Sequence, residues 1–470
     1  MSRLEERSDT YFTTVRGMCR TCRSIVPARV AFQEDGVWQQ SLCPTCSNEK
    51  ALIAADKEWY LRHVPAEFPD RSPLTGAHPP KNGCPHDCGP CTWHASPCQL
   101  PVISITNACD LTCPVCFTYN RPDRRYFMPA EELSGIVDWI IASSGPVDLI
   151  NITGGEPTLH PELVDLLKLC KRPEIGRVTM NTNGLRLAED ESLCRQLADL
   201  EICVVLSFNT LDPDVSIRMQ GRDVVEAKQR AIENLTRAGA RMTLLHVMKR
   251  GTNEATAAAI LDLMRTHENI LSYTVQTMTY TGQGGGQLPE RHRIPVDEAA
   301  GIVADHSRGE LAFTDFLARP SAHPLCYLTC FFLKVGDRFL PFTRLASPER
   351  IRSLMKDSYL IRLEDDPAFF RDAINDLFAT NDQEALLLLR NLVGTLYPND
   401  RALDAFTRQR LAEASVRTVY VHAHMDEETF DAARAMLCPD LVPVEPGRLI
   451  PACTYNLFYR MKDERFYARG

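Results

Sequence analysis

The run Leu100-Pro-Val-Ile-Ser-Ile-Thr-Asn-Ala-Cys109-Asp-Leu-Thr-Cys113-Pro-Val-Cys116-Phe117 decides the fold. Leu100–Thr106 reads as a buried strand, and three cysteines spaced C-x3-C-x2-C follow its end. Three thiolates so spaced can hold three irons of a 4Fe–4S cluster and leave the fourth open, whereas an electron-transfer cluster has four protein ligands. Taken alone, the spacing also fits zinc. A second apolar run, Val147–Thr153, is followed by Gly154-Gly155-Glu156-Pro157-Thr158, which weighs against zinc.

Outward from this pair, apolar runs recur at Arg177–Asn183, Ile202–Asn209, Met242–Met248 and Leu271–Met278. Helical patterns separate them: Pro129–Ala142, Pro161–Lys171, Glu189–Leu200, Arg222–Ala238 and Ala255–His267. Strand alternating with helix predicts an α/β fold with right-handed crossovers and a parallel sheet. Gly284 to Gly286 reads as a flexible loop after the sixth strand. Beyond it the chain reads as mainly helical: Val296–His306, Asp366–Ala379, Asp382–Val393, Asn399–Ala414 and Glu427–Leu437, with one last strand, Arg417–His422.

Four domains are predicted: 1–67, 68–99, 100–284 and 285–470. The first holds Cys19-x2-Cys22 and Cys43-x2-Cys46 around a hairpin, Val26–Phe32 and Val37–Leu42. Four such thiolates suit Zn²⁺ or a rubredoxin-like single iron. Tyr60–Pro80 reads as a linker. Then Cys84-x3-Cys88-x2-Cys91-x6-Cys98 offers four thiolates for a second, fully ligated iron–sulfur cluster or a zinc knuckle, with His86 and His94 as further ligand candidates. Cys170, Cys194 and Cys203 stand apart and read as core thiols. Cys326, Cys330, Cys438 and Cys453 are too dispersed for spacing to decide.

The 470 residues suffice for several domains, and 44% apolar with 24% charged residues is ordinary for a soluble globular protein. A net charge of −9 argues against a nucleic-acid partner. Neither a membrane span nor a signal peptide is read, so a cytoplasmic location is expected. Most of the 18 cysteines lie in tight groups, which favours metal ligation in a reducing compartment over disulfides.

These motifs resemble the radical SAM superfamily, and that resemblance implies a partial (β/α)6 barrel. In it S-adenosylmethionine chelates the open iron and is cleaved to a 5′-deoxyadenosyl radical. Gly154, Gly155, Glu156 and Pro157 would receive the methionine amine. Asn183, Ser207 and Asn209 would reach the ribose and the carboxylate, and Arg218 either pairs with that carboxylate or is a surface arginine. His246 and Gln276 are candidates for the adenine side or the substrate pocket, and Tyr119, Tyr280 and Tyr327 for hydrogen donors to a radical, though a lone strand histidine is more often a core residue and packing is the commoner role for each tyrosine.

The order of the motifs is more specific. The Cys84 block, Gln220-Gly-Arg-Asp, Thr252-Asn253, His323-Pro-Leu-Cys326, Pro341-Phe-Thr-Arg344 and Ile450-Pro-Ala-Cys453 together resemble the branch containing the archaeal tetraether lipid synthase and the methanopterin-type C-methylase. That resemblance implies C–C bond formation on a small or amphiphilic metabolite, by C-methylation from a methylene-folate-type donor or by coupling of lipid chains. It implies a second auxiliary 4Fe–4S cluster on Cys326, Cys330, Cys438 and Cys453, and a reductant such as ferredoxin or flavodoxin. A non-catalytic iron–sulfur carrier or maturation scaffold is the alternative of another class.

Overall fold

The computed structural model describes residues 10–64, 77–89, 91–119, 124–282, 284–288, 290–356, 358–360 and 367–466. An N-terminal antiparallel sheet comprises β1 (Thr10–Met18), β2 (Ile25–Gln33), β3 (Gly36–Ser41) and β4 (Lys50–Ala54), paired in chain order. The predicted hairpin is its centre. Helix α1 (Lys57–His63) follows, with the Asp56 carboxylate accepting the amides of Glu58 and Trp59. The linker reading therefore fails at its start, where Trp59 and Tyr60 are buried. The boundary at residue 67 lies outside the described residues.

The centre is a parallel sheet of β5 (Leu100–Ser104), β6 (Val147–Thr153), β7 (Ile175–Thr182), β8 (Cys203–Ser207), β9 (Met242–Met248) and β10 (Ile270–Thr277). Between them run α2 (Ala130–Ser144), α3 (Leu163–Leu169), α4 (Glu191–Asp199), α5 (Pro213–Gln220), α6 (Val225–Ala238) and α7 (Thr256–Thr266). The helices turn apolar stripes inward. On α2 the buried residues are Leu133, Ile136, Val137 and Ile140, the spacing that puts side chains on one helical face. Cys170, Cys194 and Cys203 are buried in this layer, as predicted.

After β10 come α8 (Val296–Asp305), β11 (Leu317–Ala318), β12 (Tyr327–Val335), β13 (Arg338–Pro341), α9 (Pro348–Leu354), α10 (Pro367–Ala379), α11 (Gln383–Leu396) and α12 (Ala405–Ser415). The chain ends with β14 (Val416–His422), α13 (Ala432–Met436), β15 (Asp440–Glu445) and β16 (Arg448–Pro451). Helices α9 to α12 enclose a separate core around Phe342, Phe369, Leu386 and Leu389. The strands of this extension flank the barrel. β14 pairs parallel with β10 and β12 antiparallel with β14, while β15 pairs parallel with β5 at the other edge. The extension thus supplies more strands than the one read from sequence. The helix expected over 427–437 shortens to α13, because Asp426 draws the amides of Glu428 and Thr429 into a turn.

Asp297 on α8 joins the N-terminal sheet to the barrel, accepting the amides of Ala55 and Asp56 at 2.8 and 2.7 Å. Among the described residues no helix is long and apolar enough to cross a membrane.

Candidate active site

The first thiol loop leaves the end of β5. Asn107 fastens it: its amide donates to the carbonyls of Arg124 and Arg465, and its oxygen accepts the Tyr126 amide. Cys109, Cys113 and Cys116 open onto a cavity of about 830 Å3, lined also by Gly154, Gly155, Glu156, Asn181, Asn183 and Ser207. The loop and the strand ends β6 to β8 are therefore brought to one place. The glycine pair makes this approach. Gly155 donates to Thr106 O at 2.8 Å, and a Cβ on Gly155 would stand 2.2 Å from the Ala108 carbonyl oxygen. Gly284 and Gly285 donate to Cys116 O at 3.2 Å. These glycines pack against the thiol loop.

Glu156 is 1% exposed. Its carboxylate accepts Thr158 N and Oγ1, Thr182 Oγ1 at 2.7 Å and Asn183 N at 2.6 Å. Burial pushes its acidity down and these donors oppose that. Its hydrogen bonds lie within the protein, so Glu156 positions the β6 and β7 ends. Asn183 bridges to Asp110 of the thiol loop at 2.6 Å.

Partial burial raises the Cys113 thiol to about 12, and the neighbouring thiols add to it. Such thiols ionise when a cation arrives, which fits an iron cluster. Lys228, unnoticed in the sequence, is 2% exposed and donates to Ser207 O at 2.6 Å. Burial lowers its ammonium to about 8, while Glu156, Cys113, Asp110 and Cys109 hold it up. The signal was a lysine in register with the buried Ala231, Ile232 and Leu235 of α6.

Other expectations are corrected. Asn209 is buried outside the cavity lining, where its side-chain oxygen accepts Val247 N at 2.9 Å and ties β8 to β9. Arg218 is exposed on α5 and is not among the residues lining the cavity. His246 lies in the outer core, 2.8 Å from the Tyr273 hydroxyl. Pro157 opens a 3-10 turn. Tyr280 packs with Val115 and donates to His292 O, and Tyr119 offers its carbonyl to Arg460.

A second cavity of about 290 Å3 fills the barrel interior. It shares Cys116, Thr153, Gly154, Asn181, Val205 and Leu245 with the first. Asn151, Gln276, Tyr327, Tyr420, His422, His424 and Asp440 line it. Gln276 and Tyr327 thus face this inner cavity.

In the N-terminal sheet the thiols of Cys19, Cys22, Cys43 and Cys46 lie within 4.8 Å of one another. Cys22 and Cys43 are 3.8 Å apart. Tetrahedral Zn–S bonds would put sulfurs about 3.8 Å apart, so these residues fit a single metal ion. Upstream of the barrel, Cys84, Cys88 and Cys91 face one another, and the Tyr459 hydroxyl accepts the Cys88 amide at 3.2 Å. Cys98 leaves this group: it packs with Leu441, Leu449 and Trp139. His86 is exposed and His94 is buried with its amide on Cys91 O. Cys326, Cys438 and Cys453 converge despite their separation: burial raises the thiols of Cys438 and Cys453, Cys326 adds to both, and Cys453 adds to Cys438. Cys330 does not join them. It faces away from the barrel interior on β12, in the large core with Leu328 and Phe332, because strand side chains alternate.

Residues 103–264 match the family model described as the radical SAM superfamily. The 7,8-dihydro-6-hydroxymethylpterin dimethyltransferase of Methanocaldococcus jannaschii is 24% identical over 96% of this chain and 94% of its own length. The GTP 3′,8-cyclase of Chlorobaculum tepidum is 32% identical over 35% of this chain and 50% of its own. Among solved structures, Streptococcus suis SuiB bound to S-adenosylmethionine gives a TM-score of 0.39 at 23% identity, over 46% of this chain and 48% of that one.

Proposed function

Since this chain belongs to the radical SAM superfamily and is an enzyme of that kind, we propose that it methylates a carbon of a small polar heterocycle. When bound at Cys109, Cys113 and Cys116, the reduced 4Fe–4S cluster with S-adenosylmethionine supplies a 5′-deoxyadenosyl radical. The chain's own residues shape the rest. Gly154 and Gly155 bring the β6 end against the thiol loop, and Glu156 and Asn183 fix the strand ends around the nucleoside. The inner cavity holds the substrate, with the carbon to be attacked facing the shared wall at Asn181 and Leu245.

One observation carries this reading: the inner cavity is small, walled in common with the first, and sets the polar side chains of Asn151, Gln276, Tyr327 and Asp440 into a mainly apolar lining. At about 290 Å3 it lies at the lower end of ligand pockets, roughly 300–1,000 Å3. Coupling of lipid chains needs a long apolar tunnel. The apolar run at Leu386–Leu389 instead buries Leu386 and Leu389 in the helical core of the extension. The pterin named in the M. jannaschii relative is the kind of substrate that fits.

In the same reading Cys84, Cys88 and Cys91 hold one auxiliary cluster and Cys326, Cys438 and Cys453 another. The N-terminal thiols hold zinc or a single iron. A methylene-folate-type donor provides the carbon, and ferredoxin or flavodoxin the electron, in the cytoplasm. The test uses anaerobically reconstituted protein with S-adenosylmethionine, dithionite, 6-hydroxymethyl-dihydropterin and a methylene-tetrahydrofolate donor. A pterin heavier by one methyl group is the expected product. Stimulation of 5′-deoxyadenosine by a lipid extract alone would contradict it.

A further inference from the structure

Asp440 begins β15 and lines the inner cavity, yet it is only 3% exposed. Its Oδ2 accepts the Tyr327 hydroxyl and lies 3.7 Å from His422 Nε2. Its Oδ1 has no hydrogen-bond partner. A buried acceptor left unpaired is costly, the more so when charged, so it marks a place where a donor from outside is wanted. A carboxylate is acceptor only: it selects an N–H or O–H group and repels phosphates and carboxylates.

A column of rings leads away from the carboxylate, starting at its Oδ2. Tyr327 stacks on His422 with centroids 4.1 Å apart and planes 8° apart. His422 meets His424 at 4.1 Å. His424 stacks on Phe117 at 4.7 Å and 20°, and Phe117 follows Cys116 in the thiol loop. The column thus links Asp440 to the loop that carries the cluster thiols.

We propose that Asp440 is the specificity-determining residue for the substrate. Its free oxygen accepts the exocyclic N–H of an amino-substituted heterocycle, the 2-amino-4-oxo edge that pterins present. The inference rests on the C-methylation reading and deepens it. A 2,4-dioxo ring of the same shape puts an acceptor where the amino donor stood, and two acceptors then face each other. Sites built to pair a donor reject the analogue that lacks it.

Binding without turnover tests this. Holoenzyme in the oxidised state is titrated with 6-hydroxymethylpterin and with 6-hydroxymethyl-lumazine, following ring fluorescence. Wild type should prefer the pterin by about tenfold or more. Asp440→Asn keeps the shape but offers a donor, so the ratio should fall to about one or invert. Tyr327→Phe leaves both Asp440 oxygens as acceptors and should keep the preference, which tests the role of Asp440 by a second variant should the Asn variant fail to fold. Retention of the wild-type ratio in Asp440→Asn, or its loss in Tyr327→Phe with Asp440 intact, would overturn the role of Asp440 alone. If wild type binds neither ring, the heterocycle reading falls as well.

Discussion

Two loops of this protein carry the same spacing, Cys84-x3-Cys88-x2-Cys91 and Cys109-x3-Cys113-x2-Cys116, and the fold treats them differently. The downstream loop opens onto a large cavity, with Cys109 exposed and the ends of β6, β7 and β8 around it. The upstream loop is built inward. Cys84 packs against Met18, Met425 and Phe430, and Tyr459 hydrogen-bonds the backbone around Cys88. Spacing alone sets how many thiolates can converge. What the neighbouring strands leave open beside them decides whether a second molecule can reach the metal.

Substitutions should separate the two loops. Gly155→Val drives a side chain into the backbone of the downstream loop and should cost about 3 kcal/mol in urea unfolding. It should also abolish the change in the cluster's electron paramagnetic resonance on adding S-adenosylmethionine. Acid reaches the barrel that carries this loop. Burial lowers the His246 imidazole from 6.5 to about 4, so the unfolded chain takes up a proton in that window that the folded chain refuses. Stability should therefore fall by about 2 kcal/mol between pH 7 and pH 5 from this residue. Thermal melts at the two pH values should show the slope flattened in His246→Gln.

Tyr459→Phe acts on the upstream loop. It removes the hydroxyl that donates to Pro85 O or His86 O and accepts from Cys88 N, at a cost of about 1 kcal/mol. Its effect on S-adenosylmethionine affinity, by equilibrium dialysis, should be nil. The smallest effect belongs to Arg218→Ala, within about 0.5 kcal/mol in stability and without change in that affinity. A tenfold loss there would return Arg218 to the cofactor site.

The barrel strands were legible because each is an apolar run closed by a helix with a clear inward stripe. Val147–Thr153 and Met242–Met248 match residue for residue. The strands of the extension were not. Tyr327–Val335 is an almost unbroken apolar run, buried on both faces, and shows no alternation to read. The thiol triad, the glycine pair, Asn183 and Ser207 were legible as local motifs. Cys98 and Cys330 pack apart from the thiols they were grouped with, and counting cysteines cannot tell which face of a strand or loop they occupy. Asp440, Lys228, His422 and His424 act through neighbours distant in the chain, and no local pattern announces them.

The most direct measurement is uncoupled 5′-deoxyadenosine formation, with S-adenosylmethionine and dithionite but no substrate, by wild type, Cys113→Ala and Cys84→Ala at matched reconstitution. Cys113→Ala should form none, and Cys84→Ala should retain activity although both lose iron. Activity that survives in Cys113→Ala and vanishes in folded Cys84→Ala would assign the open cluster to the upstream loop instead.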